Sequence, residues 1–307
     1  MRRKGRNWIW VLFRLLLILG LSFLIVSPLL FKLSDALKST ADSVDPTIFL
    51  IPKHPTTQHF RVILQYMNYV PSFINSLLLV LGESILQLLS CSVVAYGLGR
   101  FHFRLQKVVF GCVLLTLIVP VQTILLPLYL QFGYFSPETF FAISPSFQGN
   151  YLDLLNTYWP FFLLSISALG LKNALYIFML RQSFRNIPDV LEEAAYIDGC
   201  GMFKTFYCIA LPMVRTVLMT VFLFAFVWQW NDSVYPTFFA QRMDLLGSKM
   251  YGIGYSIAVS MGQTGNNYLM SVYNNAAIIL HIIPLIILYV FTQRFFVQSI
   301  ERSGIVG

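Results

Sequence analysis

The segment "LEEAAYIDGCGMFKTFYCIALP" runs from Leu191 to Pro212. Glu192, Glu193 and Asp198 place three carboxylates within seven residues, in a chain with only 13 Asp and Glu among 307 residues. Long apolar runs flank the stretch on both sides. Pro188 suits the first turn of a helix, where its missing N–H goes unpaired in any case. Asp189, Glu192 and Glu193 then lie near the positive end of the helix dipole. Ala194 and Ala195 favour helix, and Val190, Ala194 and Ile197 share one face at i, i+4 and i+7. Gly199 is placed to end the helix in the left-handed conformation. A second short helical pattern follows, with Phe203 and Phe206 three apart, and Pro212 marks the start of the next apolar run. The pattern predicts a helix–turn–helix. Amphipathic helices that lie on lipid favour Lys and Arg on their polar face, whereas this one is acidic and suits a protein pocket better.

The flanking runs decide the class. Hydrophobic residues make up 57% of the chain, and its mean hydropathy is +0.70. Charged residues make up 11%, against about 25% in soluble domains. This is the composition of an integral membrane protein. A bilayer core of about 30 Å needs about 20 apolar residues as helix. Candidate spans fall at 8–31, 71–98, 108–130, 158–180, 210–230 and 273–297. They are continuous rather than alternating, which argues against a β-barrel and for an all-α protein with six transmembrane helices. The run from Trp8 to Phe31 is longer than a signal-peptide core and lacks a small-residue cleavage site, so it reads as an uncleaved first span.

Basic residues give the orientation. With the N-terminus inside, Arg2, Arg3, Lys4, Arg6, Arg100, Arg104, Lys107, Arg181, Arg185, Lys204, Arg215, Arg294 and Arg302 face the cytoplasm. Outside lie Lys32, Lys38, Lys53, Arg61, Arg242 and Lys249. The positive-inside rule then puts both termini in the cytoplasm. The net charge of +8 is mostly this inner-face charge and calls for no nucleic acid. Outer segments of about 32–70 and 131–157 remain; the second contains "FSPETFFAISPSFQGN", expected to be irregular with some aromatic burial.

Several chemistries find no support. Cys91 and Cys112 lie in spans, and Cys200 and Cys208 on the predicted cytoplasmic side, where thiols stay reduced. Neither their spacing nor that of His54, His59, His102 and His281 matches a metal motif. There is no phosphate-binding G-x-x-x-x-G-K-[ST] loop, so this chain is not expected to hydrolyse ATP. No nucleophile–base arrangement stands out; no catalytic, cofactor-binding or metal residue is assigned.

"EEAAYIDGCGMFKTFYCIALP" resembles the EAA motif of binding-protein-dependent ABC transporter permeases, in outline E-A-A-x-x-D-G followed by I-x-L-P. Glu193, Ala194, Ala195, Asp198, Gly199, Ile209, Leu211 and Pro212 occupy its positions, with Cys200 where the family usually has Ala. "NSLLLVLGESILQLLSCSVVAYGLGRFHFR", "VPVQTILLPLYL", "YIFMLRQSFRNIP" and "WQWNDSVYP" resemble its carbohydrate-importing branch, the subunit type similar to the maltose-system G permease. The ending "QRFFVQSIERSGIVG" also resembles the family's, although Glu301 and Arg302 depart from it. The resemblance covers about residues 70–307.

It implies a type I ABC importer permease fold in the bacterial cell membrane: a first helix and external segment over 1–70, a permease core over 71–298 and a cytoplasmic tail over 299–307. It further implies a second homologous permease, two ATPase subunits that use ATP and Mg, and an external solute-binding protein. The EAA loop, about 186–212 with Glu192 included, would dock on the ATPase. The cargo implied is a sugar or oligosaccharide; the alternative within the family is a glycerol-phosphate-type or other small solute. A secondary transporter is the reading outside it, and would need broken helices and internal repeats at the midplane.

Two further groups carry expectations. Trp228, Trp230, Asn231 and Asp232 end the fifth span, as interface aromatics or as lining of the solute path. At 1.5 Å per residue, Glu83 and Lys172 fall about 18 Å and 21 Å into spans two and four, at similar depth near the midplane. Intramembrane charges usually pair or line wet cavities, so these two are expected to pair or to border the path.

Overall fold

The computed structural model describes residues 2–39, 41, 42, 45, 47–136 and 151–304, with 2–7 and 294–304 described as backbone. Most of "FSPETFFAISPSFQGN" lies outside the described residues. The described elements are helices; one isolated antiparallel bridge joins Phe135 to Leu152. Helix α1 is Arg2–Leu37, α2 Gln58–Tyr66, α3 Tyr69–Arg100, α4 Gln106–Leu115, α5 Val121–Gly133, α6 Trp159–Ile166 and α7 Asn173–Arg185. Then come α8 Asp189–Ile197, α9 Met202–Met213, α10 Arg215–Trp230, α11 Val234–Phe239, α12 Leu246–Met250, α13 Ile253–Ser260 and α14 Asn267–Gly304.

Among the described residues, three helices are long and apolar enough to cross a membrane: Trp8–Leu37, Tyr69–Arg100 and Asn267–Gln293. These correspond to the predicted first, second and sixth spans. The other three predicted spans are not single helices. The third divides into α4 and α5 around Pro120, which has no N–H to continue a helix and disfavours helix in the residue before it. The fourth divides into α6 and α7 around Ala168, Gly170 and Lys172; Ala168 and Lys172 have left-handed φ of 58° and 62°. In the fifth, α9 and α10 meet at a bend of 81°. Leu211 and Pro212 therefore belong to α9 rather than to a straight span. Backbone α14 continues through Gly304, so residues 299–304 extend the last helix.

The chain divides into two compact units, Met1–Val70 with Lys249–Pro284, and Pro71–Ser248 with Leu285–Gly307. In the first, the buried His59 ring donates from Nε2 to the Lys38 carbonyl at 3.0 Å and meets Tyr273 edge-on at 5.3 Å. Burial holds its pKa below the usual histidine value, which fits a neutral ring with its proton on Nε2. Nearby, α13 approaches α14 through Gly254, whose N–H donates to Asn274 Oδ1 at 2.9 Å. A Cβ on Gly254 would lie 2.3 Å from the Met270 carbonyl oxygen. Backbone cannot move aside as a side chain does, so Gly254→Ala is expected to destabilise the protein by about 1–3 kcal/mol. Thermal melting of the purified protein, read beside its abundance in membranes, measures this; an unchanged melting temperature counts against the close approach.

In the second unit, Leu79, Leu125, Phe132, Phe161, Leu164, Tyr235, Phe239 and Leu245 form one apolar cluster. Another joins Cys91, Ala95 and Tyr96 of α3 to Tyr176, Leu180 and Phe184 of α7 and to Ala210, Val214 and Val221. Packing in lipid relies on close van der Waals fit rather than on water exclusion. Tyr96 supplies that fit, with ring contacts to Phe101, Phe184 and Phe206 at 5.6, 5.4 and 4.8 Å.

Candidate functional site

The helix–turn–helix forms as its sequence predicts, with Pro188 one position earlier than expected, as the N-cap of α8. Gly199 has φ +76°. The Cys200 N–H donates to Ala195 O at 2.9 Å and the Gly199 N–H to Tyr196 O at 3.1 Å, the paired bonds of a Schellman ending. Helix α9 runs as helix from Met202 to Thr205, as a π-helical turn from Phe206 to Ala210, and as helix again to Met213. No local sequence signal marks the π turn.

Only Glu192 and Ala195 of α8 are buried. The face that carries Val190, Ala194 and Ile197 points away from the unit, with Ile197 86% exposed. Glu193, Asp198 and Gly199 are exposed beside it, and Phe203 and Tyr207 of α9 are exposed as well. Leu211 packs against the Tyr96 cluster, while Pro212 is exposed.

Glu192 differs from the other carboxylates because it is held from within. Arg100, the last residue of α3, places Nε 3.0 Å from Glu192 Oε1 and a terminal nitrogen 2.8 Å from Asp189 Oδ1. Its other terminal nitrogen donates to Ile187 O at 2.9 Å. Tyr96 OH adds a longer contact to Glu192 at 3.4 Å. The Arg100 and Glu192 side chains are only 7% and 10% exposed, whereas Asp189 is 82% exposed, so the inner pair carries the energetic weight. Beside it, Arg181 Nε donates to Leu98 O at 2.9 Å, with its guanidinium 3.9 Å from the Phe110 ring centroid. Sequence reasoning missed Arg100 and Tyr96 as functional residues. Their signal was the stretch "AYGLGRF" at the end of α3, which entered only as part of the family resemblance and, for Arg100, as inner-face charge.

Around the gap between α6 and α7, side chains of α3 donate to backbone carbonyls. Ser90 Oγ donates to Ser165 O at 2.7 Å, Gln87 Nε2 to Leu171 O at 3.2 Å and Cys91 Sγ to Asn173 O at 3.8 Å. Gln87, Ser90 and Cys91 fall at i, i+3 and i+4, one face of the helix. Non-helical backbone at membrane depth persists where protein satisfies it in this way.

The break also corrects the expected depth of Lys172, which rested on an unbroken span. Glu83 and Lys172 form no ion pair. The Lys172 ammonium lies 4.9 Å from the centroid of the Trp228 ring, while Glu83 is buried in α3. The aromatic group separates likewise. Trp228 is exposed, but Trp230 is buried and stacks on Phe226 at 5.8 Å. Asn231 Nδ2 donates to Val227 O at 2.8 Å. The Asp232 carboxylate accepts the N–H groups of Val234 and Tyr235 at 2.9 and 3.3 Å, capping α11.

The family described as "Binding-protein-dependent transport system inner membrane component" matches residues 92–302. The melibiose/raffinose/stachyose import permease protein MelC of Bacillus subtilis (strain 168) is 25% identical over 280 residues, covering 91% of this chain and 91% of that protein. The sn-glycerol-3-phosphate transport system permease protein UgpE of Yersinia pestis is 30% identical over 232 residues, covering 76% of this chain and 71% of that protein. A chain in the crystal structure of a bacterial ABC transporter involved in the import of the acidic polysaccharide alginate aligns with a TM-score of 0.73 at 20% identity, over 96% of this chain and 99% of that chain. At that identity the likeness is one of fold.

Proposed function

We propose a coupling role for a chain that belongs to the family of binding-protein-dependent transport system inner membrane components: it is one permease subunit of an ATP-driven importer. It forms half of the path for a sugar or oligosaccharide and receives the work of ATP hydrolysis through α8 and α9. ATP and Mg are used by separate ATPase subunits. A second permease and an external solute-binding protein complete the system, which sits in the bacterial inner membrane with both termini of this chain in the cytoplasm. The names of relatives such as MelC support a sugar cargo, and that of UgpE supports a polyol phosphate as the second reading.

One observation carries the proposal. Helix α8 is fixed to α3 by its buried Glu192, while Val190, Glu193, Ala194 and Ile197 remain uncovered. A helix held on one side and open on the other passes a push from a partner into the membrane. The test is purification of the chain from its own cells together with an uptake assay. An ATPase, a second permease and a binding protein should co-purify, and inactivating the ATPase should stop uptake. Uptake that persists without the ATPase refutes the importer reading. Orientation is checked with single cysteines at Gln182 and Thr264 in a background lacking the native cysteines. In intact cells an impermeant thiol reagent should label the second site alone; labelling at Gln182 reverses the topology.

A further inference from the structure

A cavity of about 400 Å³ opens at the break between α6 and α7, lined by Thr116, Leu128, Gly170, Lys172, Asn173 and Tyr235 among others. Its volume lies within the ~300–1,000 Å³ range of ordinary small-molecule sites. We propose that this cavity is a contact site for the transported solute, and that it takes the anionic group, a phosphate or a carboxylate, of a hydroxyl-bearing cargo. The inference rests on the importer reading and adds the chemical class of what is carried.

Charge is the first argument. Lys172 is a cation in the lining, and among the described residues no Asp or Glu lines the cavity. Its ammonium rests over the face of Trp228, which attracts a cation without neutralising it. Two acids, Asp232 and Glu83, lie near Tyr235 of the lining but do not themselves line the cavity; Asp232 is engaged in capping α11, and Glu83 is buried in α3.

The second argument is the helix start. Helix α7 has 13 residues, and its N-cap, Lys172, makes no side-chain bond to the first turn. Asn173 and Ala174, the first two residues, both line the cavity. The positive end of this half-helix therefore borders the cavity, and such ends favour anions. Interrupted membrane helices present their N-termini to anionic substrate groups in this way.

Asn173 adds a feature independent of charge. Asn173 is 3% exposed, and neither its Nδ2 nor its Oδ1 has a hydrogen-bond partner. A buried polar atom without a partner is costly, and an amide that can both donate and accept matches a hydroxyl. Gly170 keeps the break tight against α3: a Cβ there would lie 2.5 Å from Gln87 Nε2. Lys172 and Asn173 thus offer one contact for an anion and a neighbouring contact for a hydroxyl.

A lipid phosphate shares part of this chemistry, so the test separates it from the cargo. The solute-binding protein is purified from cells and its bound cargo identified by mass spectrometry; an acidic cargo is expected, and a neutral sugar overturns the proposal. The complete transporter is then reconstituted into vesicles with that binding protein. Lys172→Gln should slow uptake of the acidic cargo about tenfold or more, as loss of a charge-assisted contact does, while Lys172→Arg retains most of it. Full uptake with Lys172→Gln overturns the site. A reading independent of transport uses Thr116→Cys in a cysteine-free chain. An anionic methanethiosulfonate should react faster than a cationic one, and Lys172→Gln should remove that preference. Reaction with a lipophilic maleimide alone identifies a lipid-filled cavity and refutes a solute site. ATP-dependent uptake indifferent to Lys172 refutes only this inference, whereas uptake that needs no ATPase refutes the importer reading itself.

Discussion

Replacing Arg100 with glutamine is expected to reduce uptake at least about tenfold while the chain still reaches the membrane. Arg100 ends the long helix α3 and bonds α8 through Glu192, Asp189 and the Ile187 carbonyl. Glutamine cannot fork to these groups and leaves the Glu192 carboxylate buried without its cation. Breaking a buried pair on one side costs about 3–5 kcal/mol, enough to release α8 from its seat. A released helix can still meet an ATPase, but it no longer transmits force to α3. The readout is therefore a ratio: ATP hydrolysed per solute imported should rise. Adding Glu192→Gln to Arg100→Gln should recover part of the loss, because no charge is then orphaned. Strictly additive losses in that double-mutant cycle rule out the pair as the anchor.

Gly199→Val is the second large effect. The residue has φ +76°, and a Cβ built there meets no atom within 4 Å. Any effect therefore comes from the backbone and not from crowding. A non-glycine residue in the left-handed region costs about 1–2 kcal/mol, and a β-branched one is a marked outlier there. Valine should drive the turn out of this conformation and break the Schellman bonds at Ala195 and Tyr196. Helix α9 then loses its angle to α8. Uptake and ATPase co-purification should both collapse with Gly199→Val. Gly199→Asn should keep most of each, since asparagine tolerates this region. Equal behaviour of the two variants would show that the turn geometry is not what matters.

The limits of sequence reading are visible in individual residues. Gly199 was legible because a left-handed turn after a helical pattern is a local requirement, and glycine meets it at no steric cost. The acidic α8 and the membrane class were legible for similar reasons: dipole preference, period and total apolarity belong to the stretch itself. The breaks in the third and fourth spans were harder. Pro120 and Gly170 stand in the sequence, but apolar runs around them score as continuous spans. Whether a helix continues through such residues depends on who satisfies the freed carbonyls.

For the fourth span the answer lay some eighty residues away, in Gln87, Ser90 and Cys91 of α3. With those donors in place the chain can leave helix at Ala168 and resume it at Asn173. In that arrangement Lys172 lies over Trp228 and makes no ion pair with Glu83. Arg100 shows the same division. Its sequence position marks it as the basic end of a span, which the positive-inside pattern explains fully. Its role as the anchor of Glu192 required α3 and α8 to meet. The sequence by itself determined a helical membrane protein of this transport family and the turn at Gly199, because periodicity, composition and backbone preference act within a few residues. Only the tertiary structure decided which carboxylate is held, which face of α8 stays open and where the fourth span breaks, because each depends on hydrogen-bond partners brought together from distant parts of the chain.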